Sequence, residues 1–308
     1  MRLFLPLGLC IASLLLLAAS PLKPTTSTAA PGMALRTVQS GGITRYYRVH
    51  VPTNYNPLQP TPLVMAFHGG LGNARQFADQ TELYQTADAN DFLLVFPEGT
   101  STLGGPPLYL FETWNAGNCC GYAEQNNIDD VQFVRDMVAA LAAEWNVDLN
   151  HVYATGHSNG GMMSYRLGME APDLVTAIAP NAGSLGVTGL PALPVPLLVM
   201  HGKLDTNVPF RGGVGSGPSG TNFESQRDSV GPFMISNGAT DLTLAEVRGQ
   251  AMRFESVGTG GTGAHIYYWW LKDGGHSWPG HGSAGNPNEP TNYDIDANDE
   301  IWAFFAQF

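Results

Sequence analysis

Charged residues are scarce in this chain, at 13% of 308 positions against about 25% in an average soluble domain. Basic residues are the rarer kind: 14 Lys and Arg stand against 26 Asp and Glu, for a formal charge of −12. No basic run occurs anywhere. A nucleic-acid partner is therefore excluded, because gripping a phosphate backbone takes clustered Lys and Arg. Cysteine is scarcer still, with three in the chain, too few for a disulfide scaffold. Cys119 and Cys120 have no second Cys or His at ligand spacing, so no metal site is expected. No internal repeat is present, and the glycine-rich stretch 212–220 is too short to link two domains. What is abundant is apolar: 44% of residues are hydrophobic, with 37 Gly and 22 Pro. That is ample for a large core under many loops.

The first residues read as an export signal. Arg2 precedes a charge-free apolar stretch, residues 3–19, then Ala18-Ala19-Ser20 and a Pro/Thr/Ser-rich segment. The stretch is short for a membrane span, and Pro6 and Gly8 weaken it as a helix. We expect a signal peptide over 1–20, a disordered segment over 21–34 and a single folded domain over 35–308. Localisation is expected to be secreted, extracellular or periplasmic, with no stable membrane span in the mature form and a retained anchor as the lesser alternative. Cys10 lies inside the apolar run after Leu9, where a lipoprotein needs a small residue. That leaves Cys119 and Cys120, which either close a vicinal disulfide or stay as buried thiols.

Continuous apolar runs bounded by turn residues predict buried strands at 63–67, 92–96, 152–155, 175–180, 195–200 and 265–271. Residues 43–51 alternate as a further strand. Helical spacing occurs at 74–89, at 131–145 behind the acidic pair Asp129-Asp130, and at 296–308. Strands alternating with helices imply an α/β fold with a mostly parallel central sheet and helices on both faces.

Three residues stand on loops that directly follow predicted strands. Ser158 lies in Gly156-His157-Ser158-Asn159-Gly160, between a strand and a helix pattern. In such a turn the hydroxyl is pushed out above the sheet. Asp205 follows the run 195–200, and His276 follows 265–271. A serine hydroxyl needs a base, and the base an orienting acid. The order Ser, acid, His is that of an α/β-hydrolase. Asp129 and Asp130 have a helix-start explanation, Asp273 shares the histidine's own loop, and His281 is the local competitor to His276. An oxyanion would need backbone N–H donors: Asn159 at the helix start, and Gly70 or Leu71 in His68-Gly69-Gly70-Leu71-Gly72 after the strand 63–67. This chemistry calls for no cofactor. His68, His157, Trp114 and Trp278 are candidate pocket residues, although core packing explains the aromatics equally well. The loops 103–107, 212–223 and 258–263 are expected to shape specificity.

With these residues in view, the chain resembles the polyhydroxybutyrate depolymerase and feruloyl esterase group of α/β-hydrolases. The likeness runs from about Arg45 to about Trp278. It rests on Phe67-His68-Gly69-Gly70, Phe96-Pro97-Glu98-Gly99, Trp114-Asn115-Ala116-Gly117 with Cys119-Cys120-Gly121, Asp129-Asp130-Val131, the serine turn, His201-Gly202 with Asp205 and Val208-Pro209-Phe210, and Gly274-Gly275-His276-Ser277-Trp278-Pro279-Gly280. The resemblance implies a serine esterase with Ser158, Asp205 and His276 as its triad. Its partner would be an ester substrate, either a polyester oligomer or a hydroxycinnamoyl or acetyl sugar ester. Relatives often carry a cysteine after Asn-Gly where this chain has Ala239, so any bridge from that position to the adjacent pair is missing here. Two rival readings are a serine peptidase built on the same triad and a catalytically silent binding protein on the same fold.

Overall fold

A computed structural model describes residues 32–258 and 264–308. The expected signal segment, most of the Pro/Thr-rich stretch and residues 259–263 of one expected specificity loop lie outside the described residues. In chain order the elements begin with β1 (Gly32–Ser40), β2 (Ile43–Val51), β3 (Thr61–Phe67), α1 (Ala74–Thr81), α2 (Leu83–Asn90) and β4 (Leu93–Pro97). Then come α3 (Gly121–Gln125), α4 (Asp130–Glu144), β5 (Val147–His157), α5 (Asn159–Glu170), β6 (Ala177–Asn181) and β7 (Leu197–Gly202). The remainder is β8 (Gly213–Val214), β9 (Asn222–Phe223), α6 (Gln226–Ser236), β10 (Thr243–Arg248), β11 (Ala251–Val257), β12 (His265–Leu271), β13 (Ser277–Trp278), β14 (His281–Gly285) and α7 (Ala297–Phe305).

Ten strands form one sheet in the order β1-β2-β4-β3-β5-β6-β7-β12-β11-β10. From β4 to β12 every neighbouring pair is parallel, and the two ends are antiparallel. The central strands read as unbroken apolar runs because both faces are covered. Alternate residues serve opposite faces. Leu63, Met65 and Phe67 pack with α4, α5 and α6, whereas Val64 and Ala66 pack with α1, α2 and α7. This is the expected α/β arrangement, with helices on both faces.

Three departures have local causes. Residues 32–34, expected to be disordered, are already strand, because β2 offers them a backbone ladder that pairs Met33 with His50 and Ala34 with Val49. The helix expected over 74–89 is two helices, broken where Glu82 turns left-handed at φ 52°. Two strands that the pattern did not predict, β11 and β10, extend the sheet beyond the strand 265–271. Asp129 caps α4 by accepting the Gln132 N–H. Asp130 is buried and pairs with Arg45 at 2.7 Å. Both acids are thereby used in building the fold. Among the described residues, no helix is long and apolar enough to cross a membrane.

Candidate active site

The parallel strands β3, β5, β7 and β12 end on the same edge of the sheet, where an α/β fold places its ligands. The loops beyond them carry the residues singled out in the sequence. Ser158 occupies the turn from β5 into α5 with φ 56° and ψ −122°. That is a strained conformation for a residue with a side chain, worth about 1–3 kcal/mol. It is held by the Ser158 N–H, which donates to the Asn181 carbonyl at 2.9 Å, and by the Ser158 carbonyl, which accepts the Met162 N–H at 2.9 Å. The glycines are required by close packing. A Cβ on Gly160 would strike the carbonyl of Phe67 at the end of β3, and one on Gly156 would meet Gly160 itself.

His276 stands beyond β12 and Asp205 beyond β7. His276 Nδ1 lies 2.8 Å from Asp205 Oδ2, which fixes the proton on Nδ1 and leaves the Nε2 lone pair available. Asp205 Oδ1 accepts the N–H groups of Asn207 and Val208 at 2.9 and 2.8 Å. A second histidine, His201, reaches Asp205 Oδ2 at 3.2 Å and the Val208 carbonyl at 2.8 Å. Burial alone would raise the Asp205 carboxyl. The His276 charge and the hydrogen bonds from His201 and His276 outweigh it and hold the group well below the usual carboxylate range. Glu289 braces the two loops, accepting the His276 N–H at 2.5 Å and the Thr206 hydroxyl at 2.5 Å. Asp273 and His281 are engaged elsewhere: Asp273 accepts from Asn292 at 2.7 Å, and His281 pairs with Asp296 at 3.2 Å.

Ser158 and His276 line one cavity of about 600 Å³, together with His68, His157, Gly70 and Leu71. The two expected loop donors differ. The Leu71 N–H is spent on the Glu112 carbonyl at 2.8 Å, whereas the Gly70 N–H finds no acceptor among the described residues. The Asn159 N–H belongs to the first turn of α5, where helix geometry leaves it without an internal partner. Its side chain clamps the backbone of Trp114, taking the N–H at 2.8 Å and donating to the carbonyl at 3.0 Å.

Trp114 and Trp278, candidate pocket aromatics in the sequence, are corrected by the structure. Both are fully buried and neither lines the cavity. The Trp114 indole N–H donates to the His68 carbonyl at 3.0 Å, and its ring packs on Phe67 and Phe133. It ties the serine turn to the glycine loop from behind. Trp278 packs edge-on against Phe77 and donates to Asn298. His157 accepts from Asn181 at its Nδ1 and lies 4.7 Å, ring to ring, from His276. Burial, then the His276 charge, keep it neutral. Cys119 and Cys120 are joined in a vicinal disulfide, and Cys120 faces the cavity. Of the expected specificity loops, residues 216–219 and Phe223 line the cavity and 103–107 do not. The roles of His201 and Glu289 were not signalled, because only folding brings residue 289 beside residue 206.

Comparison with known proteins agrees with this geometry. Residues 46–193 match the family described as Esterase PHB depolymerase. A protein of Nocardia uniformis subsp. tsuyamanensis named as an esterase, NocK, is 30% identical over 279 residues, covering 84% of this chain and 76% of its own. Feruloyl esterase B of Piromyces equi is 28% identical over 200 residues, covering 62% of this chain. The match spans only 35% of that longer relative. In fold, the chain is similar to the acetyl xylan esterase from Aspergillus awamori, with a TM-score of 0.61 at 13% identity over 89% of this chain and 99% of the other. The chain has the α/β-hydrolase fold, belongs to the Esterase PHB depolymerase family and is a carboxylic ester hydrolase.

Proposed function

We propose that the ester is cleaved through an acyl-enzyme in which Ser158 is the nucleophile, His276 the base and Asp205 the orienting acid. The observation that carries this reading is the 2.8 Å His276–Asp205 bond beside a cavity that also holds the strained Ser158. His276 Nε2 takes the Ser158 hydroxyl proton as Oγ bonds to the ester carbonyl carbon. The imidazolium that forms is stabilised by the ionised Asp205. The oxyanion is met by the N–H groups of Gly70 and Asn159, where the helix dipole of α5 adds its partial positive charge. His276 then gives the proton to the leaving alcohol oxygen. In the second half it draws a proton from water, whose oxygen attacks the acyl carbon, and returns that proton to Ser158 Oγ as the acyl–oxygen bond breaks and the acid leaves.

For substrate, we propose a hydroxycinnamoyl or acetyl sugar ester, supported by a Piromyces relative named as a feruloyl esterase and a Neocallimastix relative named as a bifunctional acetylxylan esterase/xylanase. A polyester oligomer is the second reading. A specific observation favours it: Leu71, Leu108 and Phe111 are each more than half exposed near the glycine loop, an apolar rim of the kind that marks contact surfaces. Export is part of the proposal and rests on the apolar segment 3–19. Ser158→Ala should lower kcat by about 10⁴-fold or more on p-nitrophenyl esters and abolish fluorophosphonate labelling. Full activity in that variant would overturn the assignment. Relative kcat/KM on methyl ferulate, acetylated xylan and hydroxybutyrate oligomers separates the two substrate readings.

A further inference from the structure

Beside the glycine loop after β3, three buried titratable side chains converge: His68, Glu98 and Glu112. Their donor atoms all lie within 4.8 Å of one another. The reaction scheme above uses none of them. Their hydrogen bonds can be followed atom by atom. Glu98 Oε2 accepts the Ala74 N–H at the start of α1 at 2.7 Å, and Oε1 takes Arg48 at 3.2 Å. Glu112 Oε1 accepts the Gly105 N–H at 3.1 Å. His68 Nε2 accepts the Gly99 N–H at 3.1 Å, which puts its own proton on Nδ1, beside the Gly69 carbonyl at 2.8 Å. One atom is left over. Glu112 Oε2 is buried with no donor facing it among the described residues. It stands 3.9 Å from a histidine nitrogen whose lone pair is already taken, and the neighbouring acid is Glu98, with carboxylate oxygens of the two side chains within 4.8 Å of each other.

Two ionised carboxylates cannot satisfy each other. A cation between them would answer the need, but the surrounding groups are themselves donors: three backbone N–H groups and Arg48. A single proton answers it with the groups present, since the O–H of one acid donates to the oxygen of the other.

We propose that Glu98 and Glu112 share one proton as an acid–carboxylate pair, and that this pair is the positioning device for the oxyanion loop 68–74. The proposal rests on the reading of Gly70 as an oxyanion donor. The pair straps the loop at two points. Glu112 holds its middle, where its carbonyl takes the Leu71 N–H and its backbone bridges Gly72. Glu98 holds its end through Ala74. Gly70 lies directly before the first of these contacts, one residue from Leu71.

Loss of that proton would set two negative charges against each other in a buried space and loosen the straps. The groups facing Glu112 are Glu98 after β4, His68 after β3, Arg45 on β2 and Tyr109 on its own loop, with Arg48 paired to Glu98. Burial lowers His68 to about 4, so it brings no charge at neutral pH. Burial, and then the Glu98 charge, push Glu112 up to about 8. The oxyanion forms only in the transition state, so the loss should fall on kcat and spare KM.

The test is kcat and KM against pH on a soluble p-nitrophenyl ester, for the parent, Glu112→Gln and Glu98→Gln. Between about pH 7 and about pH 9 the parent should lose about tenfold in kcat with KM nearly constant. Glu112→Gln keeps a neutral donor toward Glu98 and cannot ionise, so its own decline over that range should be less than about twofold. Infrared difference spectra between about pH 6 and about pH 9 supply a readout independent of activity. The parent should lose a protonated-carboxyl stretch that Glu112→Gln lacks. The same alkaline decline in parent and Glu112→Gln, no such band in the parent, or a stoichiometric metal in the purified protein would each overturn the proposal. Ser158→Ala keeps the two readings apart: an active Ser158→Ala enzyme sinks the reaction scheme, whereas an inactive one with superimposable parent and Glu112→Gln profiles sinks only the shared proton.

Discussion

Two buried carboxylate clusters flank the same cavity, and they titrate in opposite directions. Asp205 and Glu112 are comparably inaccessible, and burial alone raises both. Asp205 faces two histidines and two backbone N–H groups, and its carboxyl is driven down. Glu112 faces another carboxylate and a neutral histidine, and its carboxyl is driven up. Desolvation sets the stakes, and the partner's charge decides the outcome. The ionised cluster suits a group that must stabilise an imidazolium. The protonated one suits a group that only has to hold a loop.

The largest expected effect comes from breaking the first cluster. Asp205→Asn should cost about 10⁴-fold in kcat, because the amide no longer selects the Nδ1–H tautomer of His276. A loss under about tenfold, with His276 shown to be in place, would mean that His201 and Val208 position the base without the acid.

A smaller effect should appear in stability, with opposite signs for the two clusters. The depressed Asp205 contributes stability that is present above its unfolded value of 3.8 and is lost as pH falls through its lower folded value. The raised Glu112 contributes stability that is present below 4.5 and is lost as pH rises through about 8. Urea titrations across pH should therefore show Asp205→Asn flattening the slope below pH 3.8 and Glu112→Gln flattening the decline between pH 4.5 and about 8. Slopes that coincide in parent and Glu112→Gln between pH 4.5 and about 8 would break the contrast. At the small end, Arg75→Ala removes a 3.8 Å pair between side chains that are both mostly exposed. It should change stability by less than about 0.5 kcal/mol, in line with screening at a surface.

Much of the fold was legible. The central strands announce themselves because parallel strands buried on both faces must be apolar throughout. The outer strands β10 and β11 were not legible. Thr243–Arg248 is mostly exposed and β11 carries Arg253 and Glu255, which pair with neighbouring charges instead of facing a core. Nor could spacing reveal that Glu82 splits a helix, since a single left-handed residue leaves the apolar period nearly intact. At the candidate site, the placement of Ser158, Asp205 and His276 on loops at one edge of the sheet was readable from their positions after strands. Trp114 and Trp278 were misplaced because a tryptophan beside a motif looks the same whether it lines a cavity or backs it.

The sequence by itself determined the central strands and their order along the chain, the residues at the strand ends and the chemistry those residue types can perform. All of these follow from local pattern, which needs only neighbours along the chain. Tertiary structure alone decided which of two loop donors is free, which carboxyl its surroundings push down and which they push up. Those outcomes depend on groups far apart in sequence, such as Leu71 with Glu112 and Asp205 with His276. Burial makes each pairing either costly or strong, and only folding determines which groups are buried together.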